Sequence, residues 1–296
     1  MPAPEKPIRP LYFVASYPRS GGSWVRSVIY LLITLSQPNP PKQVDLRNLD
    51  NIIPWDAHGL LYKAVTGREH DQLDELEVAA ARPKVHKLLA TEDFAIPVIR
   101  THAIRGTFHG HQTINPAVTG GATYVVRNPL DVAATLVAET GAAPLKIIEL
   151  MMTSDRRVRP AGFAVTEPQG SWTQNVASWT AAGQKEILVL RFEDMVDNPT
   201  REFRKLAKHM ALPASDAVID KAAGLMVAAR KEEGRENKRP DYRETLQPAH
   251  ARAIIEGHAI EMDRHGYLTE RVLQYAGIDR EAALKVAAKY APGKVS

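Results

Sequence analysis

No cysteine occurs in the 296 residues, so the chain can hold neither a disulfide nor a thiolate-ligated metal. That suits a reducing compartment, and the expected location is cytoplasmic. Long apolar runs are missing as well. The longest, over residues 28–35, is far short of the ~20 residues a membrane span requires. The opening MPAPEKPIRP has no apolar signal-peptide core, and residues 1–10 read as an N-terminal tail. Nor is there a strong charge of one sign. With 38 Lys and Arg against 34 Asp and Glu the net charge is +4, which permits an anionic ligand and is too weak to argue for nucleic acid. No internal repeat, low-complexity tract or linker divides the sequence, so one domain over residues 1–296 is expected.

What the chain does contain is alternation of short apolar strands with helices. Residues 11–15, 97–100, 122–126 and 187–191 read as strands. Residues 22–35, 129–139, 171–182 and 198–210 read as helices, two of them opened by proline near the first turn. Residues 42–95 are mostly helical in pattern, and so is the last third apart from a charged stretch over 230–243. Strands that alternate with helices predict an α/β fold of three layers, a central parallel sheet with helices on both faces.

The segment between the first strand and the first helix, Ser16-Tyr-Pro-Arg-Ser-Gly-Gly-Ser-Trp24, has the composition of an oxyanion cradle. In an open parallel sheet, ligands sit beyond the carboxyl ends of the strands, where this segment falls. Gly21 and Gly22 let the backbone come close to a ligand. Amides at the start of the following helix carry partial positive charge. Ser20, Ser23 and Arg19 add donors, and arginine grips an oxyanion through two of them. The lysine of a Walker A loop is missing, because the ending is Gly22-Ser23-Trp24, so a magnesium-dependent triphosphatase is disfavoured.

Tyr17-Pro-Arg-Ser-Gly-Gly-Ser-Trp24 resembles the 5′-phosphosulfate loop of the sulfotransferases that use 3′-phosphoadenosine 5′-phosphosulfate (PAPS), usually Tyr-Pro-(Lys/Arg)-Ser-Gly-(Thr/Asn)-Thr-Trp. Residues 124–135 resemble the 3′-phosphate motif of the same family, a strand ending in Arg-(Asn/Asp)-Pro-x-Asp-Val-Ala. Arg127 and Thr135 fall on its arginine and its hydroxyl position. Gly170-Ser-Trp172 with Trp179 resembles another family segment. ILVLRFEDM over 187–195 resembles the strand that usually ends Tyr-Glu-Asp-Met; Phe192 stands for the tyrosine, which leaves ring packing without a phenol hydrogen bond. RENKRPDYR over 235–243 aligns with Arg-Lys-Gly-x-x-Gly-Asp-Trp-(Lys/Arg). There Arg235 holds the arginine position, Asn237 and Pro240 replace glycines, Glu236 replaces the lysine, and Lys238 and Arg239 offer positive charge nearby. The resemblance runs from about residue 11 to residue 267.

That resemblance implies a sulfotransferase fold akin to P-loop kinases, with PAPS as co-substrate and no metal. It implies that Arg19, Ser20, Gly21, Gly22, Ser23 and Trp24 hold the 5′ end and the adenine, and that Arg127 and Thr135 hold the 3′-phosphate. Phe192, Arg235, Asn237 and Lys238 complete the cofactor set. Arg19 would also steady charge on the leaving oxygen. Among ten histidines, His102 ends the strand of residues 98–102 at the sheet's carboxyl edge and matches the family's Lys-Thr-His, where the histidine is the base; Arg100 stands for the lysine. His109 and His111 are its rivals, and their His-x-His spacing would suit a metal only with a carboxylate partner nearby. The acceptor, a hydroxyl on a small molecule or a glycan, would lie between residues 37–95 and 140–170. Two other readings stay open on the residues alone, a metal-dependent nucleotide kinase with a diverged loop and a nucleotide-binding protein without catalysis.

Overall fold

In the strand Leu11–Ser16 (β1), Leu11, Phe13 and Ala15 are buried in one cluster and Val14 in another. This period of two puts apolar side chains on both faces, as a central parallel strand requires. The computed structural model describes residues 7–46, 49–91, 97–232 and 241–289. After β1 come α1 (Gly22–Leu35), α2 (Leu49–Ile52), α3 (Gly59–Thr66), α4 (Glu75–Thr91), β2 (Val98–Thr101), β3 (Thr107–Phe108), β4 (His111–Gln112) and β5 (Thr119–Val126). Then follow α5 (Pro129–Thr140), α6 (Pro144–Met152), β6 (Arg157–Val158), β7 (Glu167–Pro168), α7 (Trp172–Thr180) and β8 (Ile187–Arg191). The chain continues through α8 (Phe192–Asp197), α9 (Pro199–His209), α10 (Asp216–Glu232), α11 (Pro248–Arg264), α12 (Glu270–Ala276) and α13 (Arg280–Ala287).

The main sheet has the order β2-β1-β5-β8, and all its pairs are parallel. One face carries Val14, Val98, Val125 and Leu190 against α1, α9 and α10. The other carries Phe13, Ile99, Tyr124 and Val126 against α4, α7 and α11. The three-layer α/β expectation therefore holds. Because every strand runs the same way, Ser16, Thr101, Val126 and Arg191 end at one edge, and the loops that follow them converge there.

The helix expected at 22–35 and the strand at 187–191 coincide with α1 and β8. Strand β5 starts at Thr119, earlier than its apolar residues suggest, because Thr119 and Gly121 pair with Leu11 and Tyr12 of β1, with Gly120 as a bulge between them. Ser171 lies just outside α7 as its cap, in a reciprocal capping box with Gln174. The tail expected over residues 1–10 ends sooner, since the Arg9 amide donates to the Ala90 carbonyl at 2.8 Å. The small antiparallel pairs β3–β4 and β6–β7 are too short to show a period in the sequence. Among the described residues, no helix is long and apolar enough to cross a membrane.

Candidate active site

The loop after β1 turns sharply into α1. Arg19 has φ 66° and Gly21 φ 102°, both left-handed, and a non-glycine residue there stores strain. No side chain caps α1 and no acid occupies its first turn, so its leading end remains electropositive. An ideal Cβ on Gly21 would lie 3.0 Å from Phe192 Cε2 and nearer still to Cδ2; one on Gly22 would lie 2.8 Å from Ser16 Oγ. Backbone and packing together call for glycine at Gly21, whereas at Gly22 a side chain would require the Ser16 hydroxyl to turn away. Ser20 is buried, and its Oγ, like Trp24 Nε1, has no hydrogen-bond partner among the described residues. Buried donors without partners are what an oxyanion and a nucleotide would satisfy. Ser23 is exposed and accepts from Arg26 Nη2 at 3.2 Å.

Arg127, at the end of β5, is buried and donates from Nη1 to the Arg19 carbonyl at 2.8 Å. Its guanidinium lies 4.8 Å from the centroid of the Phe192 ring. The two segments expected to bind oxyanions, far apart in sequence, are therefore in direct contact at one edge of the sheet. Phe192 ties them together: it fills the slot beside Gly21, stacks under Arg127 and lies 5.9 Å from the Trp24 ring. Trp24 is half-buried, with Phe203 on another side at 5.7 Å. Thr135 uses its hydroxyl hydrogen on the Asp131 carbonyl at 2.8 Å, which leaves the oxygen's lone pairs. The Arg19 side chain is paired with Glu139 of α5, Nε to Oε2 at 2.6 Å.

His102 follows β2, half-buried, with its Nδ1 2.7 Å from the Ser16 carbonyl oxygen and 3.5 Å from Ser16 Oγ. A carbonyl only accepts, so Nδ1 carries the hydrogen and the neutral ring presents Nε2 as its lone pair. Burial pushes the imidazole below its ordinary pKa, while the Glu167 carboxylate and the Ser16 carbonyl pull it back up. At neutral pH the ring is a free base. His109 and His111 lie on the β3–β4 hairpin, and His109 Nε2 is 3.4 Å from Glu75 Oε2 on α4. Glu75 is thus a carboxylate neighbour of His109. Glu75 also holds Arg157 at 2.9 Å, and among the described residues no group of three His, Cys, Asp or Glu is gathered that could hold a metal. Arg235, Asn237 and Lys238 lie outside the described residues, with Glu236, Arg239 and Pro240.

Several residues at this edge were not singled out as site residues by the sequence. Asn175 donates to the His102 carbonyl at 2.9 Å, and Glu167 accepts from the His102 amide at 3.0 Å. Glu193 accepts from the Asn128 amide (3.0 Å) and the Tyr267 hydroxyl (2.8 Å), which anchors the Arg127-Asn128-Pro129 turn. Arg230, from α10, places its guanidinium 5.7 Å from the Trp24 ring and 5.8 Å from Phe192. The two segments expected to flank the acceptor do meet: His58 bridges to Ala164, the Gly59 amide donates to the Phe163 carbonyl at 2.6 Å, and the Val165 amide donates to the Ala57 carbonyl at 3.0 Å.

Residues 9–257 match the sequence family described as the sulfotransferase domain. Sulfotransferase 1B1 of Canis lupus familiaris is 42% identical over 53 residues, a match that covers 18% of each chain. The fold is similar to that of a mouse sulfotransferase complexed with PAP, with a TM-score of 0.51 and 16% identity, covering 95% of this chain and 89% of that one. It is similar also to retinol dehydratase complexed with androsterone and the inactive cofactor PAP, with a TM-score of 0.55 and 16% identity over 90% of this chain and 82% of that one. The domain match runs across most of the length of the chain, and the chain belongs to the sulfotransferase family.

Proposed function

We propose that the protein transfers the sulfuryl group of PAPS to an acceptor hydroxyl, with His102 as the base. The observation that carries this reading is the bond from His102 Nδ1 to the Ser16 carbonyl, at the root of the oxyanion loop. It fixes the tautomer and leaves Nε2 to take a proton. Burial keeps the ring neutral until it does so. The same carbonyl then stabilises the imidazolium, as an orienting acceptor does in other histidine-dependent sites.

PAPS supplies the chemistry that the chain lacks, a sulfuryl group on a phosphate leaving group. The acceptor oxygen forms the new bond to sulfur as the bond from sulfur to the bridging oxygen breaks, and the acceptor's proton passes to His102. The rest is positioning and charge stabilisation. Arg19, Ser20, Ser23 and the leading amides of α1 meet the 5′ end, and Trp24 with Phe192 offers ring faces to the adenine. Arg127 and Thr135 serve the 3′-phosphate. The PAP in the mouse sulfotransferase and retinol dehydratase complexes supports the choice of donor. Androsterone and retinol in the latter support a small-molecule hydroxyl as acceptor, entering where residues 55–59 meet residues 163–165. One domain accounts for the described residues, since both hydrophobic clusters share the main sheet.

A thermal-shift panel of PAP, AMP and ATP with and without magnesium tests the donor, followed by transfer of labelled sulfate from PAPS to a panel of hydroxyl compounds. PAP should stabilise most, without any need for magnesium. Stabilisation by magnesium ATP above PAP would return the chain to a kinase, and PAP binding without transfer to any hydroxyl would make it a binding protein.

A further inference from the structure

Glu167, on β7, is fully buried and has no ion pair among the described residues. Its partners are neutral donors. Oε1 accepts from the His102 amide and from the Trp55 indole, each at 3.0 Å, and Oε2 accepts from Gln169 Nε2 at 3.1 Å. A carboxylate carried into the interior without a cation in contact is unfavourable, even when hydrogen-bonded. The buried Arg82 offsets part of that cost from a distance, without an ion pair to Glu167.

Its neighbours give it a purpose. His102 is held at three points: its amide by Glu167, its carbonyl by Asn175 Nδ2 at 2.9 Å, and its ring by the Ser16 carbonyl. Asn175 is itself fixed, since its Oδ1 accepts from the Tyr124 hydroxyl at 2.8 Å. On the other side of Glu167 runs a directional chain. Arg156 Nη1 donates to Gln169 Oε1 at 3.0 Å, and Gln169 Nε2 donates to Glu167. Every donor here points at Glu167, so only a group with two accepting oxygens can end the chain and also receive His102 and Trp55. An amide in its place would set N–H against N–H at one end. Arg156 Nη1 also lies 3.5 Å from the Tyr17 hydroxyl, so the chain reaches from the oxyanion loop to the base and the acceptor wall.

The geometry points to Glu167 as the positioning residue of the base: it fixes where His102 stands, ties Trp55 of the acceptor wall to the same oxygen, and lends negative charge to the imidazolium formed in the reaction. This rests on the reading of His102 as the base. The charged groups facing His102 are Arg100 on its own strand, which disfavours the charged ring, and Glu167 and Asp56, which favour it. Removing the Glu167 charge therefore lowers the pH at which the ring takes a proton.

The test compares full-length wild type with Glu167→Gln and Glu167→Asp, following the His102 ring by NMR titration and kcat against pH. In Glu167→Gln, the His102 midpoint and the acid limb of kcat should both move to lower pH, by roughly half a unit or more. Plateau kcat should fall roughly 10-fold or more as the base is displaced, with PAP affinity retained. Glu167→Asp keeps the charge and shortens the reach, so its plateau should fall while its midpoint stays near wild type. An unmoved His102 midpoint in Glu167→Gln overturns the proposal, because the carboxylate would then lend the ring no charge. If the wild-type acid limb does not follow the His102 titration at all, the base assignment falls and this proposal falls with it. That failure is read from wild type, and the other only from the variant.

Discussion

Gly21→Ala probes the phosphate loop at its tightest point. The backbone there has φ 102°, where an alanine is strained by about 1–2 kcal/mol. The new Cβ would also lie 3.0 Å or less from the Phe192 ring, against the ordinary contact of about 3.4–4 Å. The ring must move by about an ångström, since Cδ2 lies nearer still than Cε2, and it is packed on Arg127 at 4.8 Å and Trp24 at 5.9 Å. Overpacking of that kind costs about 1–3 kcal/mol. The sum, about 2–5 kcal/mol, should appear as a lower urea midpoint at unchanged m value. Because the displaced ring underlies Arg127 and the loop, PAP affinity should fall as well. The decisive measurement is a double-mutant cycle with Phe192→Leu. The smaller side chain relieves the clash and leaves the backbone strain, so Gly21→Ala should be less harmful in that background by about 1–3 kcal/mol. Additivity within about 0.5 kcal/mol would refute the argument that Gly21 is there for the ring.

Three further outcomes follow from the geometry. His102→Ala should leave PAP affinity nearly intact and lower kcat by roughly 10²–10⁴-fold, as loss of a general base does; an unchanged kcat would move attention to His109 and His111. Arg127→Ala should weaken PAP by roughly 10–100-fold, the worth of a charge-assisted hydrogen bond, and AMP much less. Equal losses on the two nucleotides in isothermal titration would make Arg127 a brace for the Arg19 carbonyl only. His258, buried between Thr173 and Trp172, has its pKa pushed by burial from 6.5 down to about 3. The unfolded chain therefore binds a proton that the folded chain refuses across that window, and stability falls as pH drops from 6.5 toward 3. The slope is at most about 1.4 kcal/mol per pH unit from this one group. Glu or Lys would add another titration, so His258→Gln is the clean variant, and its stability curve should be flatter over that range; parallel curves would show that His258 is protonated in the fold.

The sequence by itself determined the elements and the family. Period-two alternation in residues 11–15, the apolar runs at 122–126 and 187–191, and the proline-opened helices are local signals, and local signals survive without neighbours. The loop proposed to hold an oxyanion stands out for the same reason, since its glycines, serines and arginine are contiguous. His102 was legible by its place at a strand end. What only the tertiary structure decided are contacts between elements that the chain separates widely: Arg127 on the Arg19 carbonyl, Phe192 in the Gly21 slot, His102 on the Ser16 carbonyl, and Glu167 under the His102 amide. A parallel sheet brings the ends of distant strands to one edge, and no spacing in sequence records which side chains meet there. The tautomer of the proposed base and the carboxylate beneath it belong to that edge. They come from burial and hydrogen bonding across the fold, which residue types alone do not encode.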